Sequence, residues 1–480
     1  KELLYRAMDV IEKMRADIKI EQLRDSFIQD KMAVYEMLVK LLADEGKTLE
    51  AFEVAERSRS RNFIDLLGNQ QLKLTRNGDQ ELYDRRNALR ARIAVYEAVA
   101  VQSRIPEERE TAEKTLQELR FELDSTMLDI QAKNPRLASL VTVTPLDAAD
   151  VMKQVEPGVA LLSYYLLPKE IFCWIIHPND IRLVRVPADR KRLGEELLEY
   201  RRMIQNLEPL DTYSRKFHQL LMAPVLPAVG SAKTLGIIPH GPLHHLSFAT
   251  LSDDTGYLLD KYSLFYLPSA GILEVTLSRR RGEKNLEVLA VGNPDLRDPA
   301  FELPFAEYEV GAIRWNFPNI TMLTGPRATE AWVVDNIERF GIIHLAVHGE
   351  FDPVNPLFSA VKLARGGEAD GDLEAEEVFG LRINADMVVL SACQTGLGKV
   401  TAGDDVIGLN RSFIYAGTHT IVSSLWRVSD VSTAILIKHF YRQYVSHDKA
   451  DSLRRAMLHV KNRYPHPGYW GAFTLVGDYR

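Results

Sequence analysis

Apolar residues in the first part of the chain recur every three or four positions, and from about residue 157 that rhythm gives way to short continuous apolar runs. In "MAVYEMLVKLLADEGKTLEAFEVAERSRSRNFIDLL", Tyr35, Leu38, Leu41 and Leu42 share one helical face, "ADEGK" ends that helix, and Ala51, Phe52 and Ala55 keep the spacing of the next. Residues 79–133 are charge-rich and helical, broken at "SRIPEERE", where Pro106 suits a first turn. This stretch reads as an antiparallel helix hairpin with a solvated charged face. The runs "VALLSYYLL", "IFCWIIH" and "IRLVRV" predict three neighbouring strands, followed by a helix near 189–206. "TLGII", "LEVLAVGN", "NITMLT", "GIIHLAVHGEF", "SAVKLA", "ADMVVLSAC" and "HTIVSSLW" predict further strands with helices between most of them. One such helix opens at a Thr329 cap and runs through Trp332, Val333, Ile337 and Phe340. Continuous apolar strands alternating with helices predict an α/β fold whose mostly parallel sheet is covered on both faces.

Composition narrows this picture. A chain of 480 residues exceeds one core and predicts two or three domains. An apolar share of 46% with 26% charged residues is that of a soluble globular protein, and a net charge of -7 gives no electrostatic footprint for nucleic acid. Two cysteines, Cys173 and Cys393, cannot make a disulfide framework, which points to a reducing, cytoplasmic compartment. The longest apolar runs fall short of a membrane span. The opening "KELLYRAMDVIEKM" reads as a helix already under way, so the natural start is expected upstream.

In sheets of this kind, working residues gather past the carboxyl ends of strands. "IIHLAVHGE" ends at His348-Gly349, and "MVVLSACQTG" ends near Cys393, 45 positions later. If these strands are neighbours, an imidazole and a thiol face one crevice. A thiolate is then the nucleophile, and histidine takes its proton and returns it to the leaving amine. The amides of Gly349 and Cys393 are the candidates to hold the oxyanion. Alternation puts Ser391 on the same side as Cys393 but deeper, so Cys393 is the better nucleophile; His344 is deeper in its own strand and reads as structural. His240, His244 and His245 in "PHGPLHHL" invite a metal, yet Pro239 and Pro242 forbid a continuous helix there and no carboxylate or cysteine stands close by. Neither a metal nor a cofactor is expected.

Two resemblances follow from these residues. The helix pair of residues 32–67, with small residues in its second helix, resembles a tetratricopeptide repeat. "SACQTG" following "HGE" resembles the caspase signature. The segment from about 150 to 480 closely resembles the CHAT family (caspase-like proteases associated with tetratricopeptide repeats), in the caspase–separase–gingipain clan. Its markers are "IIPHGPLHHLSFATL", "YLPSAGIL", "LAVGNP", "ATEAWV", "IIHLAVHGEFD", "VVLSACQTG", "GLNRSFIYAGTHTIVSSLWRVSD" and "YWGAFTLVGD".

The resemblance implies a caspase-like α/β/α sandwich preceded by an all-helical repeat region. The corresponding layout is the end of the repeats at 1–68, a helical hairpin or linker at 69–140, a pseudo-caspase half at 145–285 and a catalytic half at 286–480. It implies an endopeptidase dyad of His348 and Cys393, and a structural role for the "PHGPLHHL" loop. "SSLWRVSD" is similar to the separase segment that carries a specificity acid, which makes Asp430 the pocket candidate for a basic substrate residue; Arg427 departs from that pattern. Asp404 and Asp405 in "TAGDDVIG" are rival pocket acids, and Trp426 is either the wall of a substrate groove or core. The glycine-rich "LARGGEADGDLEAEE" reads as a polar loop open to processing.

A protein substrate is implied, with a regulatory protein partner bound by the repeats and neither nucleic acid nor membrane. Family members serve in bacterial defence, beside CRISPR effectors among others, which makes such an effector a candidate partner in a bacterial cytoplasm. The same residues also fit a non-catalytic interaction scaffold, or a Cys-His acyl transferase whose acceptor is not water.

Overall fold

The computed structural model describes residues 1–17, 31–59, 147–278, 285–352, 358–367, 369–391, 399–400, 406–407 and 409–480, with isolated helical positions between 85 and 126. Its centre is an eleven-stranded sheet. In chain order its strands are β1 (Val159–Leu166), β2 (Glu170–His177), β3 (Asp180–Pro187), β4 (Thr234–Ile238), β5 (Ser263–Tyr266), β6 (Val288–Pro294), β7 (Ile320–Gly325), β8 (Ile342–Ala346), β9 (Met387–Leu390), β10 (Thr420–Ser424) and β11 (Phe473–Gly477). Their spatial order is β3-β2-β1-β4-β5-β11-β10-β9-β8-β6-β7. Pairing is parallel except in the β1–β2–β3 meander and between β10 and β11. Strands from 159–266 thus lie on one side and those from 288–477 on the other. The two sides meet where β5 pairs with β11 at one register position, Tyr266 opposite Val476.

Each strand's burial follows its composition. β1, "VALLSYYL", has no charged residue and is buried along its whole length; β8 and β9 are likewise buried throughout. Side chains pointing to either face are therefore covered, as for a strand between two helical layers. β3, "DIRLVRVP", interleaves arginines and lies at the edge, only partly covered. The Thr329 hydroxyl accepts from the Trp332 amide at 3.3 Å, as its position predicts for a cap.

The helical region begins with α1 (Glu2–Asp17), α2 (Met32–Asp44) and α3 (Thr48–Ser58). On α2 the buried stripe is Met32, Tyr35, Leu38, Val39 and Leu42; Val39, rather than Leu41, completes the face. These helices dock on the β1–β3 meander. Trp174 Nε1 donates to the Thr48 carbonyl at 3.2 Å, with its ring edge-on to Phe52. Arg185 reaches Asp44 at 2.7 Å. Beneath them Arg59, fully buried, donates to the Tyr164 carbonyl at 2.6 Å and lies 3.4 Å from the buried Glu56, whose other oxygen accepts from the Ala270 amide. One apolar core runs through both parts. At the described positions further on, Arg85 pairs with Glu122 at 2.8 Å, and Leu89 and Leu119 are buried against Phe358. That reversed order is the one an antiparallel hairpin produces.

Later helices include α4 (Arg190–Gln205), α5 (Pro304–Ile313), α6 (Glu330–Asn336), α7 (Asp430–Tyr444) and α8 (Lys449–Arg463), of which α5 and α7 border the site. The "LARGGEADGDLEAEE" segment departs from the sequence expectation. Asp372–Glu374 pairs with Ala360–Lys362, Ala375–Phe379 is helical, and Gly371 donates to the buried Glu330, so the exposed residues among those described there are Arg365, Gly367 and Asp370. Its acidic residues are polar in composition, yet Glu374 and Glu377 cap the short helix reciprocally and so fold inward.

At the end of the sheet where β9 begins, Asp386 accepts from Tyr444 at 2.7 Å and from the fully buried Lys449 at 2.9 Å, with His419 Nδ1 at 3.4 Å. Burial opposes its charge, but the His419 bond, the Lys449 charge and the Tyr444 bond outweigh it and hold the carboxyl well below the usual range. A depressed folded-state pKa contributes stability present above about pH 4 and lost as the pH falls below it. Asp386→Asn removes the nearer carboxylate from the buried Lys449 ammonium, leaving Asp478 at 3.8 Å, and is expected to cost about 3 kcal/mol in denaturant unfolding at pH 7. The variant is also expected to lose less stability than the parent between pH 5 and 3.

Candidate active site

Strands β8 and β9 lie side by side in parallel, Ile342 opposite Met387 through Leu345 opposite Leu390, and Ser391 donates to the Leu345 carbonyl at 2.9 Å. The chain therefore leaves both strands at the same level, into Val347-His348 on one and Ser391 on the other. Together with the start of α7 and the inner side of α5, these residues line a small cleft of about 50 Å³. Ser391 Oγ is buried there with no hydrogen-bond partner. Cys393, two positions beyond, and Asp404 and Asp405 lie outside the described residues.

The two histidines of β8 and its extension part company. His344 is fully buried, with Nδ1 3.2 Å from the Tyr441 hydroxyl and Nε2 2.9 Å from Glu309 Oε1. His348 is partly exposed at the cleft. Its Nε2 lies 2.8 Å from the Phe301 carbonyl, and the Phe301 ring stands edge-on to the imidazole. A carbonyl only accepts, so Nε2 carries the hydrogen; in the neutral ring the lone pair then sits on Nδ1.

That carbonyl is placed by residues to which the sequence pattern gave no role. Asn293, near the end of β6, has φ +47°, and its side chain accepts from the Leu303 amide at 2.6 Å and donates to Glu307 at 2.8 Å. Asp298 caps the turn of Pro299–Phe301 through the Ala300 amide. Gly292 lets α5 lie close, because a Cβ there would stand 2.7 Å from Val310 Cγ2 and 2.9 Å from the Ala306 carbonyl. The available signal was Gly-Asn-Pro at a strand's carboxyl end, a turn residue where the chain must bend back over its neighbour.

The remaining candidates fall as follows. Lys362 donates to the His348 carbonyl at 2.8 Å, so Gly349 and Val361 face each other as a non-hydrogen-bonded pair and that ladder does not use the Gly349 N–H. Asp430 is exposed, opens α7 and lines the cleft. Of the two readings of Trp426, the structure selects core: it is 1% exposed, donates to the Gly468 carbonyl at 3.3 Å and is absent from the cleft wall. Its strand end turns inward, where a large apolar ring gains most from burial. His240 accepts from the Leu166 amide at 3.3 Å and packs on Tyr165, a place in the fold of the first side. Among the described residues, no group of three or more His, Cys, Asp or Glu could hold a metal, and no helix is long and apolar enough to cross a membrane. The described wall of the cleft carries two carboxylates, Glu309 and Asp430, and no lysine or arginine.

The CHAT domain family matches residues 211–478. Human tetratricopeptide repeat protein 28 is 27% identical over 323 residues, covering 55% of this chain and 13% of that protein. The mouse protein of the same name is 22% identical over 584 residues, covering 99% of this chain and 23% of that protein. The chain thus spans less than a quarter of these curated relatives. Among solved structures, Saccharomyces cerevisiae separase in complex with securin superposes with a TM-score of 0.50 at 9% identity, covering 82% of this chain and 37% of that one, a likeness of fold. With a family match over more than half its length and a separase-like sheet bearing the cleft, this chain belongs to the CHAT-domain family, with a caspase-like fold.

Proposed function

We propose that the chain is a cysteine endopeptidase in which Cys393 attacks the scissile carbonyl and His348 moves the proton. The observation that carries this reading is His348 at the carboxyl end of β8. Its Nε2–H is held by the Phe301 carbonyl, and the parallel neighbour β9 runs through Ser391 toward Cys393. Pinned in that way, the ring keeps Nδ1 as the basic atom. In the proposed cycle Nδ1 takes the thiol proton and the thiolate adds to the carbonyl carbon. The C–N bond breaks as the imidazolium protonates the amine, leaving a thioester. Water, deprotonated by the same nitrogen, then hydrolyses the thioester and restores the thiol. The N–H groups of Gly349 and Cys393 are proposed to receive the charge on oxygen.

Asp430 supports a preference for a basic residue on the amino side of the cut, with Asp404 and Asp405 as rival acids. Control by a protein partner is part of this proposal. It is supported by the helices packed on the sheet, by relatives named for tetratricopeptide repeats, and by the separase structure being a complex with securin. A CRISPR effector in a bacterial cytoplasm is one candidate for that partner.

Cleavage mapping of a proteome with the intact protein against Cys393→Ala is the direct test. Cleavage after lysine and arginine, lost by a factor on the order of 10³ or more in the variant, is expected. Equal cleavage by both proteins defeats the assignment, and absence of labelling at Cys393 by a thiol-reactive inhibitor favours a scaffold. Product masses raised by an acceptor other than water indicate acyl transfer. Asn293→Ala releases the turn that holds the Phe301 carbonyl; kcat is expected to fall on the order of 10²-fold with KM little changed, measured on a peptide found by the mapping.

A further inference from the structure

The cleft opens onto a row of aromatic side chains that have no task in the reading above. Helix α5 is apolar on two sides. Ala306, Val310 and Ile313 belong to the buried core. On the other side Phe305 and Tyr308 are about half exposed, as is the Phe301 ring just before the helix, and Trp315 just past its end is 81% exposed. Phe305, Tyr308 and Trp315 fall at helical spacing along one flank. Single exposed apolar residues are ordinary, but a row of aromatics on a helix that has already buried its inner face adds nothing to its own fold and marks a contact surface. The sheet fixes where this row begins. β10, β9, β8 and β6 are adjacent, parallel and in register, so their carboxyl ends stand side by side. Across those ends, in order, come the segment leading to Asp430, Ser391 with the chain toward Cys393, His348, and the turn that carries Phe301. Phe305 lines the cleft, and the Phe301 ring stands edge-on to the His348 imidazole with centroids 5.4 Å apart.

We propose that Phe301, Phe305, Tyr308 and Trp315 form a docking surface for apolar side chains of the substrate on the carboxyl side of the cut. The assignment deepens the peptidase reading and rests on it for the direction of the chain. In that cycle the imidazolium gives its proton to the leaving amine, so the amine nitrogen lies at His348. The residues that follow it then continue away from Cys393, over the turn bearing Phe301 and onto α5. The residue before the cut lies on the opposite side of Cys393, toward Asp430. From Phe305 to Trp315 the row is about 15 Å long at the helical rise, the span of roughly four or five extended residues. Aromatic rings offer large contact area at small cost in side-chain freedom. A leucine or phenylalanine among the first five residues after the cut therefore gains most by lying on them.

The test is calorimetric titration of two synthetic peptides into the full chain bearing Cys393→Ala. Both begin with alanine, alanine and arginine. One continues with alanine, leucine, alanine, phenylalanine and leucine; in the other, serine replaces the leucines and the phenylalanine. The apolar peptide is expected to bind on the order of tenfold more tightly or better. Adding Tyr308→Ser and Trp315→Ser, which remove exposed rings and no core packing, is expected to bring the two affinities within about twofold of each other. Equal binding of the two peptides by the Cys393→Ala protein, or binding of neither, overturns the inference, as does a preference for the apolar peptide that survives both substitutions. A wild-type dimer in light scattering that the same two substitutions turn to monomer assigns the row to a second copy of the chain and likewise overturns it. Cleavage of neither peptide by the wild type, with the binding difference intact, keeps the docking surface and removes the peptidase. Cleavage of both at equal kcat/KM, with no binding difference, keeps the peptidase and removes the docking surface.

Discussion

The constraint on which the site depends is that β8 and β9 are parallel neighbours in register. Parallel pairing makes both strands end on the same side, and the slanted ladder fixes their ends at one level. Without it His348 and the chain leading to Cys393 have no reason to share a cavity, since three short strands and a helix separate them among the described residues. The apolar composition of both strands secures the register, because shifting either by one residue exchanges its two buried faces. The candidate site is thus positioned by the burial of valine, leucine and isoleucine.

Around that pair, backbone groups carry much of the placement. The Phe301 carbonyl fixes the tautomer of His348, Asn293 fixes the turn bearing that carbonyl, and Gly292 lets α5 approach. A histidine held through one nitrogen presents the other in a defined direction, as the outer hydrogen bond of a metal-binding histidine does. At the far end of the sheet the Asp386–Lys449 pair ties α8 to β9. The helices are thereby anchored at one end while their other ends, including the start of α7, frame the cleft.

What was legible in the sequence follows from which interactions leave a mark in residue type. Unbroken apolar runs announce buried strands, so β1, β2, β8 and β9 were visible, as was the Thr329 cap. Neighbouring strands had to be assumed, since nothing in "IIHLAVHGE" names its partner; the register supplies it. Distinguishing His344 from His348 needed only their depth along the strand, since alternation puts both on one side. Phe301 was invisible because every residue has a carbonyl. Glu309 sits in "PFAEYEVGAI", where an acid on a helix usually faces water; its inward placement depends on where α5 crosses β8. Trp426 had two open readings that only tertiary packing could decide, and the acidic stretch from Gly371 shows the opposite fault, in which composition suggested a surface and packing drew the residues inside.

The seam between the two sides of the sheet carries a mechanical meaning. Ten or so ångströms of hydrogen-bonded edge hold most neighbouring strands together, as their rise of about 3.3 Å per residue dictates, whereas β5 and β11 share a single ladder position. Side chains fasten the same line: Arg201 of α4 reaches the Leu425 carbonyl at 3.0 Å, Arg454 of α8 reaches the Leu259 carbonyl at 2.8 Å, and Arg480 reaches Glu156 at 2.7 Å. Relative displacement of the two sides is therefore opposed at this line by side chains of α4, α8 and the last residues of the chain more than by the strand ladder.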